Sequence, residues 1–566
     1  MSTSRLLALL RPSLQSPLTL AWLGALWLGL LCNWPLWQHL QRLPEMAGSR
    51  GLLFVLAFMG MVTGLIGALL SLLAWRRLIK PVLAISLLSA AALAHFIGSY
   101  GIVIDPTMVV NIVQTDVREA SDLLSLRLLL SLLLLGVLPL LWLWRRPLAT
   151  HGVGARLGLN LLGFVLGIAL VLGLAALSFA DLASTMRNHK SLRYMVSPLN
   201  AYYSLASVGL RAQAGPKGPP AVVGADAALA PRAGKPPLLL LVVGETARAM
   251  NFSLNGYPRP TNPELARREV LSWRNASACG TSTAASLPCM FSHLGREAYG
   301  DLKAPQETLL DVLQRAGLAV LWLDNQSGCK GVCERVPSAN AAEPAPGAAP
   351  LPAGLCSDGE CLDGALLHGL DQRLAALDPA RAARGVVLVL HQMGSHGPAY
   401  YKRSPPDAKP FQPECRSNAL QQCPREQVVN AYDNSIAYAD HVLAGAIDWL
   451  KTQAPRYDPA LLYFSDHGES LGENNLYLHG MPYAVAPREQ TQVPAILWLP
   501  EPTAAAQQVR RSCLAAQLDK PISHDFLFHT VLGYQGVKTS LYRPDWDLLQ
   551  ACRGQQEGAQ PRAQQR

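Results

Sequence analysis

The sequence predicts two architectures in series: a bundle of five membrane-spanning helices, followed by an α/β domain built on a doubly wound, mostly parallel sheet. Three observations predict it. Long apolar runs are confined to the first 180 residues. Beyond residue 237, short apolar runs of β type alternate with helical patterns. Ten of the eleven cysteines lie from Cys279 onward, most of them in close pairs.

A helix needs roughly 20 apolar residues to cross a hydrocarbon core, and five stretches reach that length: Leu18 to Trp37, Gly51 to Trp75, Pro81 to Ile104, Leu123 to Trp144 and Leu157 to Ala180. Arg5 and Arg11 ahead of the first give it the look of a signal peptide. It is long, however, ends in Trp34-Pro35-Leu36-Trp37 and lacks a small-residue cleavage site, so it reads as a retained anchor. Arg5 and Arg11, then Arg76, Arg77 and Lys80, then Arg145, Arg146 and Arg156 fall on one side. The loop after the third span carries Asp105, Asp116, Glu119 and Asp122 against Arg118 alone. The positive-inside rule therefore places the N-terminus in the cytoplasm and everything after the fifth span outside the inner membrane. Arg187, Lys190 and Arg193 run against it, at the start of a long translocated segment where the rule is weak. The net charge of +9 calls for no nucleic acid, because much of it flanks the spans.

Four regions follow. Residues 1–180 form the transmembrane domain. Residues 181–237 hold amphipathic surface helices with Tyr194, Tyr202 and Tyr203, then a Pro/Gly/Ala linker from Ala214 to Pro237. Residues 238–552 form the α/β domain outside the membrane, and 553–566 a disordered polar tail. Four local pairs, Cys279 with Cys289, Cys329 with Cys333, Cys356 with Cys361 and Cys415 with Cys423, suggest disulfides, and hence an oxidising compartment such as the periplasm. The alternative is a zinc ribbon or scattered buried thiols, but no pair has CxxC spacing. Cys513 and Cys552 remain as a fifth pair.

Apolar strands are expected at Leu238–Val243, Val320–Leu323, Val386–Leu390, Leu461–Phe464 and Ala495–Leu499, with helices at Glu307–Ala316 and Gln427–Leu450 between them. Ligands in such folds bind beyond the carboxyl ends of strands. There the sequence places Gly244-Glu245-Thr246, His391 to Gly397 with His396, and Ser465-Asp466-His467-Gly468-Glu469, followed by His479. Carboxylates and imidazoles at several strand ends suit zinc. Taken singly, each is an ordinary helix cap or surface histidine. Cys279-Gly280-Thr281-Ser282-Thr283 to Cys289 is a hydroxyl-rich loop between two cysteines. A disulfide would fix its geometry, and a helix starting at Thr283 would favour a phosphate there. A threonine hydroxyl still needs a base or metal to act as nucleophile.

These stretches, Val243 to Arg248, Cys279 to Ser292, His391 to Tyr400 and Ser465 to Pro482, closely resemble the phosphoethanolamine transferase family, which includes lipid A-modifying enzymes behind polymyxin resistance. The resemblance implies a catalytic domain like those of alkaline phosphatases and sulfatases, with Glu245, Thr283, Asp466 and His467 binding zinc. It implies that Thr283 attacks phosphatidylethanolamine, releases diacylglycerol and passes phosphoethanolamine to lipid A or another envelope glycan. His396 and His479 match positions that bind substrate phosphate or a second zinc, and His391 and Lys330 match neighbouring positions. Asn111, Thr115 and Glu119, spaced four apart on one helical face, match polar positions linked to the lipid head group. Two departures stand out: Gln326 and Cys329 within Asp324 to Lys330, and a Pro/Ala-rich segment from Ala339 to Ala353 that looks like an inserted flexible loop. Phosphoglycerol transfer on the same fold is the nearest alternative. A channel, transporter or sensor fits less well, since the spans hold few ionisable residues, chiefly His95 and Arg127.

Overall fold

The computed structural model describes residues 14–115, 117–150, 152–214, 218–357 and 359–554, the side chains of 118, 119 and 211–214 excepted. The proposed tail beyond residue 554 lies outside the described residues. The chain divides into two compact units, one of residues 1–109 and 123–213, the other of 110–122 and 214–566. The outer loop after the third span thus clusters with the C-terminal unit, a division that length and composition do not reveal.

Among the described residues of the first unit, four helices are long and apolar enough to cross a membrane: Gly48–Leu72, Ile79–Tyr100, Leu126–Trp144 and Val153–Leu177. The expected first span is broken. Pro17–Cys32 and Trp34–Gln41 meet at 47°, so it makes a fifth span only if the bent pair is counted as one. Pro35 in the first turn of the second piece has no N–H to continue the ladder. Asn33 fills the break: its Nδ2 donates to the Leu28 and Ser197 carbonyls at 2.8 and 2.6 Å, and its Oδ1 accepts from Ser197 N–H at 2.8 Å. After the last span, helices Phe179–Asn188 and Leu199–Ala214 flank a 3₁₀ turn.

The second unit is built on eight strands: β1 (Pro237–Gly244), β2 (Leu271–Ser277), β3 (Ala319–Asp324), β4 (Ser338–Asn340), β5 (Val386–His391), β6 (Asp458–Ser465), β7 (Gln492–Trp498) and β8 (Ile522–Ser523). Their order is β8-β2-β7-β6-β1-β5-β3-β4. Only β7 runs antiparallel to its neighbours. β1, β5 and β6 are buried along nearly their whole length, as expected of central parallel strands. Strand β2, Leu-Ser-Trp-Arg-Asn-Ala-Ser, exposes Arg274 and Asn275 and gives no continuous apolar run. The segment from Ala339 to Ala353 begins in a strand and then runs on through turns and irregular structure. That strand is the edge strand β4, paired in parallel with β3, and Ala341 and Ala345 are buried.

The cysteines pair as their spacing suggests. Cys279 is bonded to Cys289, Cys329 to Cys333, Cys356 to Cys361 and Cys415 to Cys423. Cys513 and Cys552 form the fifth bond, and Cys32, in the membrane unit, is free. The bond of Cys356 to Cys361 ties two short antiparallel strands, where the two residues are direct cross-strand partners.

Candidate active site

Strand register makes the site. β1 and β6 are adjacent and parallel, with Gly244 opposite Ser465, so Glu245 and Asp466 leave the sheet side by side. A slip of one residue would turn them to opposite faces. Thr246, next in line, holds a positive φ of 51°, costly for a β-branched residue. Its N–H donates to Asp466 Oδ1 at 3.2 Å and its carbonyl accepts from Tyr432 Oη at 2.7 Å, which fixes the turn. From β5, Gly394 presses against this turn. A Cβ there would lie 2.6 Å from the Glu245 carbonyl oxygen, so only glycine fits.

Glu245, Asp466 and His467 are fully buried, and one ligand-type atom from each lies within 4.8 Å of the others. His467 Nε2 is 3.3 Å from Glu245 Oε1 and 3.4 Å from Asp466 Oδ2. His467 Nδ1 lies 2.9 Å from the Gly468 carbonyl, which only an N–H can satisfy. Nε2 is then the ring atom that faces the two carboxylates and is placed to ligate a metal. Asp466 Oδ1 accepts from two backbone N–H groups, whereas Oδ2 is buried without a hydrogen-bond donor. Two carboxylates converging in a dry pocket repel one another unless a cation sits among them. This N/O donor set fits a divalent metal of the zinc type.

Thr283 joins them. It opens the helix Thr283–Met290, and its Oγ1 donates towards both oxygens of Glu245, each at 3.1 Å, and lies 3.5 Å from His467 Nε2. The Cys279–Cys289 bond closes the loop around it. Thr281 ties this loop to the His479 segment through Oγ1 to the Met481 carbonyl at 2.6 Å and Gly480 N–H to the Thr281 carbonyl at 2.7 Å. Ser286 Oγ donates to the Asp466 carbonyl, and His524 bridges Cys279 N–H (3.0 Å) and the Ser465 carbonyl (2.8 Å).

The histidines expected nearby are there. The His467 and His479 rings lie 4.4 Å apart, and those of His396 and His479 5.5 Å. Burial above all, then His479, Arg403, His467 and Lys330, holds His396 well below the usual imidazole range, so it is neutral. His479 Nδ1 faces Glu469 Oε2 at 3.1 Å, and Tyr400 Oη donates to the other oxygen at 3.0 Å. His391 stands apart, with Nδ1 3.1 Å from Asp324 Oδ2. Burial would lower it, but Asp324, Glu245 and Asp466 together raise it above the ordinary value. Lys330 Nζ donates to Ser327 Oγ at 2.9 Å and to the Gln114 carbonyl at 3.2 Å. Thr115 Oγ1 donates back to the Asn111 carbonyl at 2.8 Å, and both belong to the C-terminal unit. The Glu119 side chain lies outside the described residues.

The remaining expected disulfides lie around the site rather than in it. The bond of Cys329 to Cys333 closes the turn that carries Lys330. That of Cys356 to Cys361 lies next to Glu360, a partner of Arg403, and that of Cys415 to Cys423 closes the segment that carries Asn418.

Sequence reasoning missed several supports. Gln326, noted only as a departure, donates to Glu245 Oε2 at 3.2 Å. Asp363 caps the Met393 and Gly394 N–H groups at 2.8 and 2.9 Å. Glu469 was visible in Ser-Asp-His-Gly-Glu, and a buried carboxylate there had to find a partner. His524 left no signal, since it follows a strand of two residues.

The family model for sulfatases matches residues 237–537, and that for phosphoethanolamine transferase EptA/EptB matches residues 62–212. Phosphoethanolamine transferase EptA of Escherichia coli (strain K12) is 43% identical over 557 residues, 96% of this chain and 98% of that protein. Phosphatidylethanolamine transferase Mcr-1 of Escherichia coli is 38% identical over 91% of this chain and 94% of its own. Among solved structures, the integral membrane protein lipooligosaccharide phosphoethanolamine transferase A (EptA) from Neisseria meningitidis superposes with a TM-score of 0.88. It is 33% identical and covers 94% of this chain and 98% of that one. The C-terminal periplasmic domain of phosphoethanolamine transferase EptC from Campylobacter jejuni is 41% identical, with a TM-score of 0.50 over 58% of this chain and 97% of that one. The protein is accordingly an integral membrane protein whose catalytic unit lies in the periplasm. With its membrane helices, its sulfatase-like sheet and this extent of shared sequence, the chain belongs to the phosphoethanolamine transferase family.

Proposed function

We propose that this chain transfers phosphoethanolamine from phosphatidylethanolamine to a phosphate of lipid A through a covalent phosphoethanolamine–Thr283 intermediate. The observation that carries the reading is the buried Thr283 hydroxyl, 3.1 Å from both oxygens of Glu245 and 3.5 Å from His467 Nε2. Mcr-1 is named for phosphatidylethanolamine and the Neisseria relative for lipooligosaccharide, which supports a lipid donor and a lipid-glycan acceptor.

Glu245, Thr283, Asp466 and His467 would hold zinc, which when bound lowers the pKa of a hydroxyl and offsets charge on phosphoryl oxygens. Thr283 Oγ1 attacks phosphorus as its proton moves towards Glu245. The bond between phosphorus and the diacylglycerol oxygen breaks, and that oxygen ends protonated as free diacylglycerol. A phosphate oxygen of the acceptor then attacks the same phosphorus and releases Thr283. Neutral His396, with His479 held by Glu469, offers N–H donors to the phosphoryl oxygens. The added ammonium lowers the negative charge of the acceptor, and with it the attraction for a cationic polymyxin.

Mass spectrometry of lipid A from a polymyxin-susceptible Gram-negative strain tests this. A phosphoethanolamine adduct is expected with the intact chain and none with Thr283→Ala. Adducts from both proteins would remove Thr283 as nucleophile. Adducts from neither, with both chains folded in the membrane, would remove lipid A as acceptor and turn the search to core oligosaccharide and other envelope glycans.

A further inference from the structure

Residues 110–122 of the outer loop belong to the catalytic unit, and the last of them is held there by three side chains. Asp122 is buried. Lys402 Nζ lies 2.6 Å from its Oδ1, Arg403 Nη2 3.3 Å from its Oδ2, and Asn418 Nδ2 donates to its carbonyl at 2.7 Å. Arg403, equally buried, directs its other donors to Glu360 Oε2 and to the His396 carbonyl, each at 2.9 Å. Further up the loop, the Gln114 carbonyl accepts from Lys330, which also holds Ser327, the neighbour of Gln326 and its bond to Glu245. The loop therefore reaches the site from two flanks, through Arg403 to His396 and through Lys330 towards Glu245.

A carboxylate is retained in so dry a place only where cations and donors meet it. Here both cations come from the catalytic unit's own chain, and the loop that carries the carboxylate is joined at each end to a membrane helix. The donor proposed above is a membrane lipid, so a loop continuous with two membrane helices is the part of the catalytic unit whose placement bears on its capture, whereas a small soluble ester makes no such demand. Neutralising Asp122 leaves Arg403 bonded to Glu360 and His396, so the chemistry at Thr283 keeps its supports.

We infer that Asp122 is a positioning residue that anchors the outer loop on the catalytic unit and sets selectivity for a membrane-borne donor over a soluble one; this rests on the lipid donor proposed above. The test uses the full chain in vesicles of phosphatidylethanolamine and, separately, with a soluble short-chain phosphoethanolamine ester. Asp122→Asn should raise KM for the lipid about tenfold or more while kcat and ester cleavage stay within about twofold. Asp122→Glu should recover most of the lipid KM. Asn418→Ala should show the same split at smaller size, and decides the matter if Asp122→Asn does not fold. Equal losses on both substrates, or an unchanged lipid KM, would overturn the anchor alone. A wild-type chain that cleaves the ester and never the lipid would overturn the donor reading and the anchor with it.

Discussion

Two of the disulfides should separate stability from activity, and in opposite order. Cys279–Cys289 closes a loop of sequence separation 10, Cys513–Cys552 one of 39. The chain-entropy model gives about 2.7 kcal/mol for the shorter loop and about 3.9 kcal/mol for the longer. Replacing Cys513 and Cys552 together with alanine should therefore cost the greater stability. That bond joins helix Arg511–Ala515 to the turn Gln550–Cys552, neither of which supplies a residue to the site, so molecules that stay folded should keep their turnover. The protein carrying both Cys279→Ala and Cys289→Ala should lose less stability but far more kcat. Thr283 lies between the two cysteines, and a displacement of about 1 Å at a nucleophile costs about 100-fold. The bonds of Cys279 to His524 and of Thr281 to Met481 hold part of the loop, so a fall of about 10- to 100-fold is expected. The assay pairs urea midpoints of the full chain in detergent with specific activity of the folded fraction. If the variant lacking Cys513 and Cys552 lost as much kcat per folded molecule, or the one lacking Cys279 and Cys289 lost none, the assignment of the short loop as the part that holds the nucleophile would be wrong.

Three further outcomes are expected. Chelation of metal should abolish activity and lower the thermal midpoint, with zinc restoring both, and Asp466→Asn should weaken zinc binding at least about 100-fold by calorimetry; full activity in verified metal-free protein would refute the donor-set reading. Glu469→Gln keeps an acceptor for Tyr400 but removes the charge facing His479, so kcat/KM should fall about tenfold with little change in melting temperature. Burial above all lowers His529 from the ordinary 6.5 to about 4. The unfolded chain then binds the extra proton first, so stability is full above about pH 6.5 and falls by about 3 kcal/mol as pH drops to about 4. His529→Gln should flatten that part of the melting-temperature profile, and an unchanged slope would show that other groups carry it.

What could be read from the sequence followed from how local its cause was. Membrane spans are a matter of composition over a single segment, and four of the five stand as read, within a few residues. The remaining one, the first in the chain, is bent at Asn33, which the sequence did not signal because the residue that stabilises the break bonds to Ser197, far along the chain. Central strands announced themselves as apolar runs, whereas β2 and β4 are strands only because a neighbour pairs with them. Cysteine pairs with short separations, such as Cys329 with Cys333 and Cys415 with Cys423, were legible for the same local reason. Ligand-type residues at the ends of β1 and β6 were legible because strand ends are where such folds present side chains. Gln326, Asp363 and His524 were not, since each is defined by a partner that only the tertiary fold supplies. The membership of residues 110–122 in the catalytic unit belongs to the same class.

The site is held in two different ways, and that difference has a consequence. Glu245 and Asp466 are fixed by the register of two central strands, so displacing them means disturbing the core of the sheet. Thr283 is carried on a separate eight-residue helix, closed against its own leading loop by the Cys279–Cys289 disulfide and fastened to those strand ends by Ser286 to the Asp466 carbonyl and by His524 between Cys279 and Ser465. Metal affinity and nucleophile placement are therefore separable. Substitutions at Ser286 or His524 should lower kcat while the three strand-end ligands continue to bind metal, whereas Asp466→Asn should lower both together. In a transferase this division has a physical rationale. On the mechanism proposed above, Thr283 accepts and then surrenders a phosphoryl group within one catalytic cycle, and a separately fastened element can relax slightly between those steps. The charges that stabilise both steps gain most from not moving, because preorganised charge incurs no reorganisation cost when the reaction occurs.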